Sequence, residues 1–215
     1  MTPTLAVTGS NLCSDAPFSV ALELDGAVTS AAVPAGERGD LARLCDELCR
    51  ARGLQPAQLR RVVLDVGPGS YTGLRVAVTF VRLLQQFGDV QVEGVCSLAA
   101  LARLAVQGDA GRVRTVLDAR RGRLHTAVHE LGAGRVVERE AARAAPVDEV
   151  LAAIAPGDAL VAPAAFAEEL GRRGLECVAA RGWTAANLLR DGLPRFAAAP
   201  ADLEPRYLMA SYAED

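Results

Sequence analysis

The groups in this 215-residue sequence that could do chemistry are few: two histidines, five cysteines, a glycine-rich turn and an isolated acid–base pair. His125 and His129 are four apart, a spacing that would chelate a metal from one face of a helix. They sit in Leu124-His-Thr-Ala-Val-His-Glu-Leu131, which alternates like a strand and sets them roughly 13 Å apart at ~3.3 Å per residue. No shared metal is expected. Cys13, Cys45, Cys49, Cys96 and Cys177 are odd in number and include no C-x-x-C pair. Cys45 and Cys49 fall on neighbouring turns of an expected helix, with no second ligand pair, and read as small buried apolar residues.

The glycine-rich turn lies in Val62-Val-Leu-Asp-Val-Gly-Pro-Gly-Ser-Tyr-Thr-Gly-Leu-Arg75. A strand runs through Gly67-Pro68-Gly69 into a helix whose first turn holds Ser70, Thr72 and Gly73. Free backbone N–H groups at such a helix start can hold an anion. A phosphate-binding loop of the Walker type needs Gly-Lys-Ser/Thr, and the chain contains no lysine; all 23 of its cations are arginines. The dinucleotide fingerprint G-x-G-x-x-G also fails, because Gly67, Gly69 and Gly73 are spaced one residue too long. Glycines that permit a tight turn and close packing explain the segment better. The acid–base pair, Asp118 and Arg120, offers a single carboxylate for a metal-bound phosphate or a structural ion pair. Ser70 lacks the G-x-S-x-G context of an activated nucleophile.

The elements that must position these groups alternate in a regular order. Strands are expected at 4–8, 18–24 and 27–33, with Asp25-Gly26 turning a hairpin between the last two. Leu41, Leu44, Cys45 and Leu48 then recur at helical spacing. Strand 61–66, a helix to about 87, strand 90–95 and a helix over 98–106, capped by Ser97, follow. The same order of three strands, helix, strand, helix begins again at 113 and runs to about 179. Two α/β lobes, each a mixed sheet with flanking helices, are the architecture this implies. The boundaries read as 1–108 for a first lobe, 109–182 for a smaller second lobe and 183–215 for a tail packing back on the body.

The net charge is −3, shared evenly along the chain, so no surface for gripping nucleic acid is expected. No apolar run approaches a membrane span, and a reducing cytoplasm fits the cysteines. The helix after the glycine turn is unusual. Arg75, Thr79, Arg82 and Gln86 form one narrow polar stripe, and nearly all its other residues are apolar. A helix lying on its own sheet needs only one apolar face. This one is either buried within the chain or docked on a partner, with the Leu41–Leu48 helix as its neighbour.

Gly67-Pro-Gly-Ser-Tyr-Thr-Gly-Leu-Arg75 resembles the signature of the TsaB (YeaZ) family, whose usual form has Phe at Tyr71. Val116-Leu-Asp-Ala-Arg-Arg-Gly122 resembles that family's Asp-Ala-Arg segment, and Pro205-Arg-Tyr-Leu208 its C-terminal Pro-x-Tyr-Leu/Val. The sequence departs from the family at Thr8, where Asp is common, at Gly39, near a usual His, and at Met209, where Arg is common. The resemblance implies a two-lobed fold of the actin, Hsp70 and sugar-kinase kind. It implies a non-catalytic scaffold subunit that binds a TsaD-like catalytic paralogue, together with a TsaE-like ATPase, to form N6-threonylcarbamoyladenosine at position 37 of tRNA. A homodimer in isolation, contact with tRNA only through the complex, and no cofactor or metal follow from the same resemblance. The family contact maps here onto Leu41, Leu44, Leu48, Leu74, Arg75, Val78, Val81 and Arg82. Residual anion or nucleotide contact would fall to Gly67, Gly69, Ser70, Asp118 and Arg120. The alternative is a nucleotide-dependent phosphotransferase or hydrolase of the same superfamily.

Overall fold

A computed structural model of the chain describes residues 2–13, 16–34, 37, 39–106, 108–199 and 203–209. In chain order the elements are β1 (Thr4–Thr8), β2 (Ser19–Leu24), β3 (Ala27–Ala32), α1 (Leu41–Ala51), β4 (Arg61–Gly67), α2 (Tyr71–Phe87), β5 (Gln91–Cys96) and α3 (Ser97–Ala105). There follow β6 (Gly111–Asp118), β7 (Arg123–Gly132), β8 (Arg135–Pro146), α4 (Val147–Ala152), β9 (Ala159–Pro163), α5 (Ala164–Arg172), β10 (Val178–Ala180) and β11 (Phe196–Ala197). The expected order of elements is therefore present, and the tail adds a 3-10 turn at Ala185–Leu189.

Two compact units divide the chain. The first holds the described residues up to Ser97 with Gly182–Arg190 and Arg195–Pro205; the second holds Leu98–Arg181 with Asp191–Pro194 and the described residues from Arg206 onward. The tail read from sequence as one piece is thus shared between the units, and its residues 200–202 and 210–215 lie outside those described.

The sheet of the first unit has the order β11-β5-β4-β1-β2-β3. β1 and β5 flank β4 in parallel, and β1-β2-β3 is antiparallel. Successive residues of a strand face opposite ways, and both faces here are covered. Leu5, Val7, Val62 and Leu64 join the core with Leu44, Leu48, Val78 and Val81 of α1 and α2. The other face lies under the Ala185–Leu189 turn, where the Ala185 N–H donates to Ser19 Oγ at 2.8 Å. Burial on both sides explains why β1 and β4 are apolar at successive positions, Leu5-Ala-Val7 and Val62-Val-Leu64.

The second unit repeats the plan. Its sheet is ordered β10-β9-β6-β7-β8, with β9 parallel to both β6 and β10, and β6-β7-β8 antiparallel. Counted from the first strand of each unit, both sheets therefore run 5-4-1-2-3, apart from the added β11. Val116, Leu124, Leu160 and Ala162 pack with Val150 of α4 and Leu170 of α5. Arg114, only 1% exposed, is held in this layer by Glu140, Asp158 and the Ala153 carbonyl.

Candidate functional site: the Gly67–Gly73 turn and the helix it starts

In an open α/β sheet, ligands bind beyond the carboxyl ends of the parallel strands. In the first unit that position is occupied by the protein's own groups. Asp65, fully buried near the end of β4, accepts from Thr8 Oγ1 at 2.6 Å, from Ser97 Oγ, and from the Gly67 N–H at 3.0 Å. The Thr8 and Ser10 hydroxyls are 3.1 Å apart, and the Trp183 indole N–H donates to Ser10 Oγ at 3.1 Å. Burial pushes the Asp65 carboxyl above its usual range, against the opposite pull of the Ser10, Ser97 and Thr8 hydroxyls and the Gly67 N–H. Ser97, the first residue of α3, thus gives its hydroxyl proton to this carboxylate.

The turn itself is closed by backbone contact. Gly67 has φ 102, a conformation open to glycine, and its bond to Pro68 is cis. A Cβ on Gly69 would meet Ser10 Cβ at 2.6 Å and Ser10 O at 2.7 Å. A Cβ on Gly73 would overlap the Gly9 carbonyl, and one on Gly9 the Gly73 carbonyl. Three N–H groups of the turn are engaged: Gly67 donates to Asp65, Ser70 to the Ser10 carbonyl at 2.8 Å, and Gly73 to Ser70 Oγ at 3.2 Å. Gly67, Gly69 and Ser70 thus serve the packing of the β1 loop on α2.

Asp118 and Arg120 belong to the second unit. Asp118 Oδ1 accepts the Arg120 N–H at 2.7 Å in the β6–β7 turn, where Arg120 and Arg121 have φ 63 and 51. Asp118 is holding a left-handed turn. His125 and His129 both lie on β7, as expected. His129 is fully buried, neither ring nitrogen has a hydrogen-bond partner among the described residues, and burial lowers its pKa to about 4. Burial also lowers His125, opposed by Asp118. No group of three or more His, Cys, Asp or Glu among the described residues could hold a metal. Cys45 and Cys49 are buried and free.

Of the residues assigned from sequence to a partner contact, Leu41, Leu44, Leu48, Leu74, Val78 and Val81 are all buried, most exposed at 6%. Leu41, Leu44, Leu48, Val78 and Val81 pack in one core with the sheet residues Leu5, Val7, Val62 and Leu64. Arg75 and Arg82 are exposed. α2 is apolar almost all round, so sequence alone could not tell which apolar stripe faces inward. The surplus lies at Val76, Leu83 and Phe87, which are 40%, 48% and 81% exposed, beside the exposed stripe Arg75, Thr79, Arg82 and Gln86. Arg75 stacks over the Tyr71 ring, 4.2 Å from its centre. The exposed charges of α1 neutralise one another in Arg43–Glu47 and Arg50–Asp46 pairs. No helix among the described residues is long and apolar enough to cross a membrane.

Residues 38–189 match the family model described as TsaD, tRNA N6-adenosine threonylcarbamoyltransferase. The tRNA threonylcarbamoyladenosine biosynthesis protein TsaB of Bacillus subtilis (strain 168) is 36% identical over 77 residues, 36% of this chain and 33% of that protein. The chain thus matches about a third of the length of that curated relative. Two solved structures, YeaZ from Pseudomonas aeruginosa and an uncharacterized protein with similarity to peptidase YEAZ from Pseudomonas aeruginosa, each align with a TM-score of 0.77 at 24% identity. Each alignment covers 97% of this chain and 100% of the other, a likeness of fold. The chain belongs to the family described as TsaD, tRNA N6-adenosine threonylcarbamoyltransferase.

Proposed function

We propose that this chain is a non-catalytic accessory subunit in the formation of N6-threonylcarbamoyladenosine on tRNA, in the cytoplasm. On this reading it engages a catalytic member of its own family through the exposed face of α2, and a TsaE-like ATPase and tRNA meet it within that complex. The observation that carries the reading is the contrast between the two ends of the Gly67–Phe87 segment. At the turn, the Gly67, Ser70 and Gly73 N–H groups are taken by Asp65, Ser10 and Ser70, and Gly9 and Gly73 are in close backbone contact. Along α2, three large apolar side chains stand in solvent. The packed turn supports a non-catalytic role, and the exposed side chains offer surface that a second chain could bury.

Reconstitution tests this directly. The catalytic relative and its ATPase, supplied with substrate tRNA, should modify it only when this chain is added. The chain alone should neither modify tRNA nor hydrolyse ATP. Equal modification without the chain would remove the accessory role. Micromolar magnesium–ATP binding by the isolated chain, read by calorimetry, would favour the phosphotransferase or hydrolase alternative.

A further inference from the structure

An open sheet edge is a template for another strand, and folded proteins blunt their edges with short strands, charges, proline or bulges. The edge strands of the two sheets are β11, β3, β10 and β8. β11 and β10 are two and three residues long. β8 is long, but it carries five charged residues, its register against β7 shifts twice, and it ends on Pro146. β3 has none of these protections. Ala27-Val-Thr-Ser-Ala-Ala32 runs six residues without a charge, a proline or a break in its register with β2.

The outward groups of that edge can be named. Asp25 and Gly26, with φ 51 and 76, form the two-residue turn between β2 and β3, so Leu24 and Ala27 are a hydrogen-bonded pair. Bonded pairs recur at every second residue, and the series continues at Val33, whose N–H donates to the Phe18 carbonyl at 2.9 Å. Ala27, Thr29, Ala31 and Val33 thus turn their N–H and C=O groups toward β2. Val28, Ser30 and Ala32 turn theirs away from the sheet, and no described strand meets them. The side chains of these three are exposed as well. Arg52 straps β3 from the end of α1, donating to Thr29 Oγ1 at 3.1 Å and to the Leu24 carbonyl at 3.2 Å. The edge is therefore held extended before anything pairs with it.

We propose that β3 takes the β3 strand of a second copy of this chain, antiparallel across a two-fold axis at Ser30. That axis sets Ser30 against Ser30, Val28 against Ala32, Thr29 against Ala31 and Ala27 against Val33. No pair brings like charges or two large side chains together, and about six backbone bonds form from groups now open to water. This self-complementarity is what an isologous contact requires. So short a contact makes the dimer weak and concentration-dependent. α2 packs over β1, β4 and β5, away from this edge, so the proposal does not rest on the accessory-subunit reading.

Sedimentation of the full chain between about 1 and 500 µM tests this. The apparent mass should rise from one copy toward two, and the Val28, Ser30 and Ala32 amides should gain hydrogen-exchange protection over the same range. Ser30→Pro removes an outward donor without touching the bonds to β2, and Ser30→Lys sets two cations together at the axis. Each should weaken the dimer at least about tenfold, with circular dichroism unchanged because Ser30 is exposed. Ser30→Cys should give a disulfide-linked dimer on mild oxidation, since bonded partners across an antiparallel pair lie about 5.5 Å apart at Cα. Val28→Cys, whose two copies would be offset by about 13 Å along the strands, should link no more than wild type. A wild-type chain that stays monomeric throughout would overturn the proposal. So would a dimer indifferent to both Ser30→Pro and Ser30→Lys but lost in Leu83→Asp, which would place self-association on α2. Protection of the β3 amides in a monomer only when the catalytic relative is added would assign the edge to that chain instead.

Discussion

Replacing Gly73 by alanine sets two physical effects of opposite sign against each other. Gly73 lies in the first turn of α2. Judged by helix propensity alone, Gly73→Ala should stabilise the protein by about 1 kcal/mol. The structure predicts the reverse, because the new methyl would overlap the Gly9 carbonyl, and backbone cannot yield as a flexible side chain can. Separating the β1 loop from α2 adds about 1–3 kcal/mol of overpacking strain. Losing the 2.8 Å bond from the Ser70 N–H to the Ser10 carbonyl adds about 1–3 kcal/mol more. After subtracting the propensity gain, the net loss is about 3 kcal/mol. Gly171→Ala in α5 is the matched control. No atom lies within 4 Å of a Cβ at Gly171, and its φ is not left-handed, so propensity should act alone and stabilise by about 0.5–1 kcal/mol. Urea unfolding followed by far-ultraviolet circular dichroism measures both. A Gly73→Ala protein as stable as wild type would refute the close contact and, with it, the closure of the turn.

The second unit carries two further expectations. His129 has a folded-state pKa of about 4 against an ordinary 6.5, so it binds fewer protons folded than unfolded. Its contribution is fully present above about pH 6.5 and is lost as pH falls toward 4, an acid destabilisation of up to about 3 kcal/mol. His129→Leu should flatten that limb in urea titrations between pH 4 and pH 7 relative to wild type; an identical pH slope would show that the ring is not buried neutral. Asp158→Ala removes a carboxylate that faces buried Arg114 and also pairs with Arg112 at 3.0 Å. It should destabilise by about 3 kcal/mol or more, whereas Arg114→Met, which removes the buried charge itself, should be milder. Equal losses in the two variants would contradict this ordering.

What the sequence made legible follows from where its signals are local. Apolar runs doubly buried in β1 and β4, the Asp25-Gly26 hairpin and the 3.6-residue recurrence in α1 each depend on near neighbours, and each is present. β8 runs on to Pro146 through Ala141-Ala-Arg-Ala-Ala145, a stretch with no strand signal of its own that is held as a strand by pairing with β7. β11 has no local signal at all. It exists because Phe196 lies over Gly94, where a Cβ would collide with the ring, and because its two residues pair with β5. Asp65 did leave a mark, a lone carboxylate inside Val62-Val-Leu-Asp-Val66. Its partners lie 57 residues upstream at Thr8 and 32 downstream at Ser97, so only the fold brings them together.

The closure of the turn and the openness of α2 are physically connected. A surface helix that binds a partner loses less entropy if it is already rigid in the free protein. α2 is fixed at its start by the Ser70–Ser10 backbone bond and the Gly9–Gly73 contact, and the β1 loop behind it is tied through Thr8 and Ser10 to the Asp65 and Trp183 side chains. The groups that close the turn are therefore the ones that fix the start of the helix proposed to dock. A variant that reopens the turn, such as Gly73→Ala, should weaken partner binding even though Gly73 is buried and ten residues before the exposed Leu83. If Gly73→Ala loosened the turn but left the affinity of the complex unchanged, rigidity at the helix start would be irrelevant to docking, and the two halves of the Gly67–Phe87 segment would have to be explained separately.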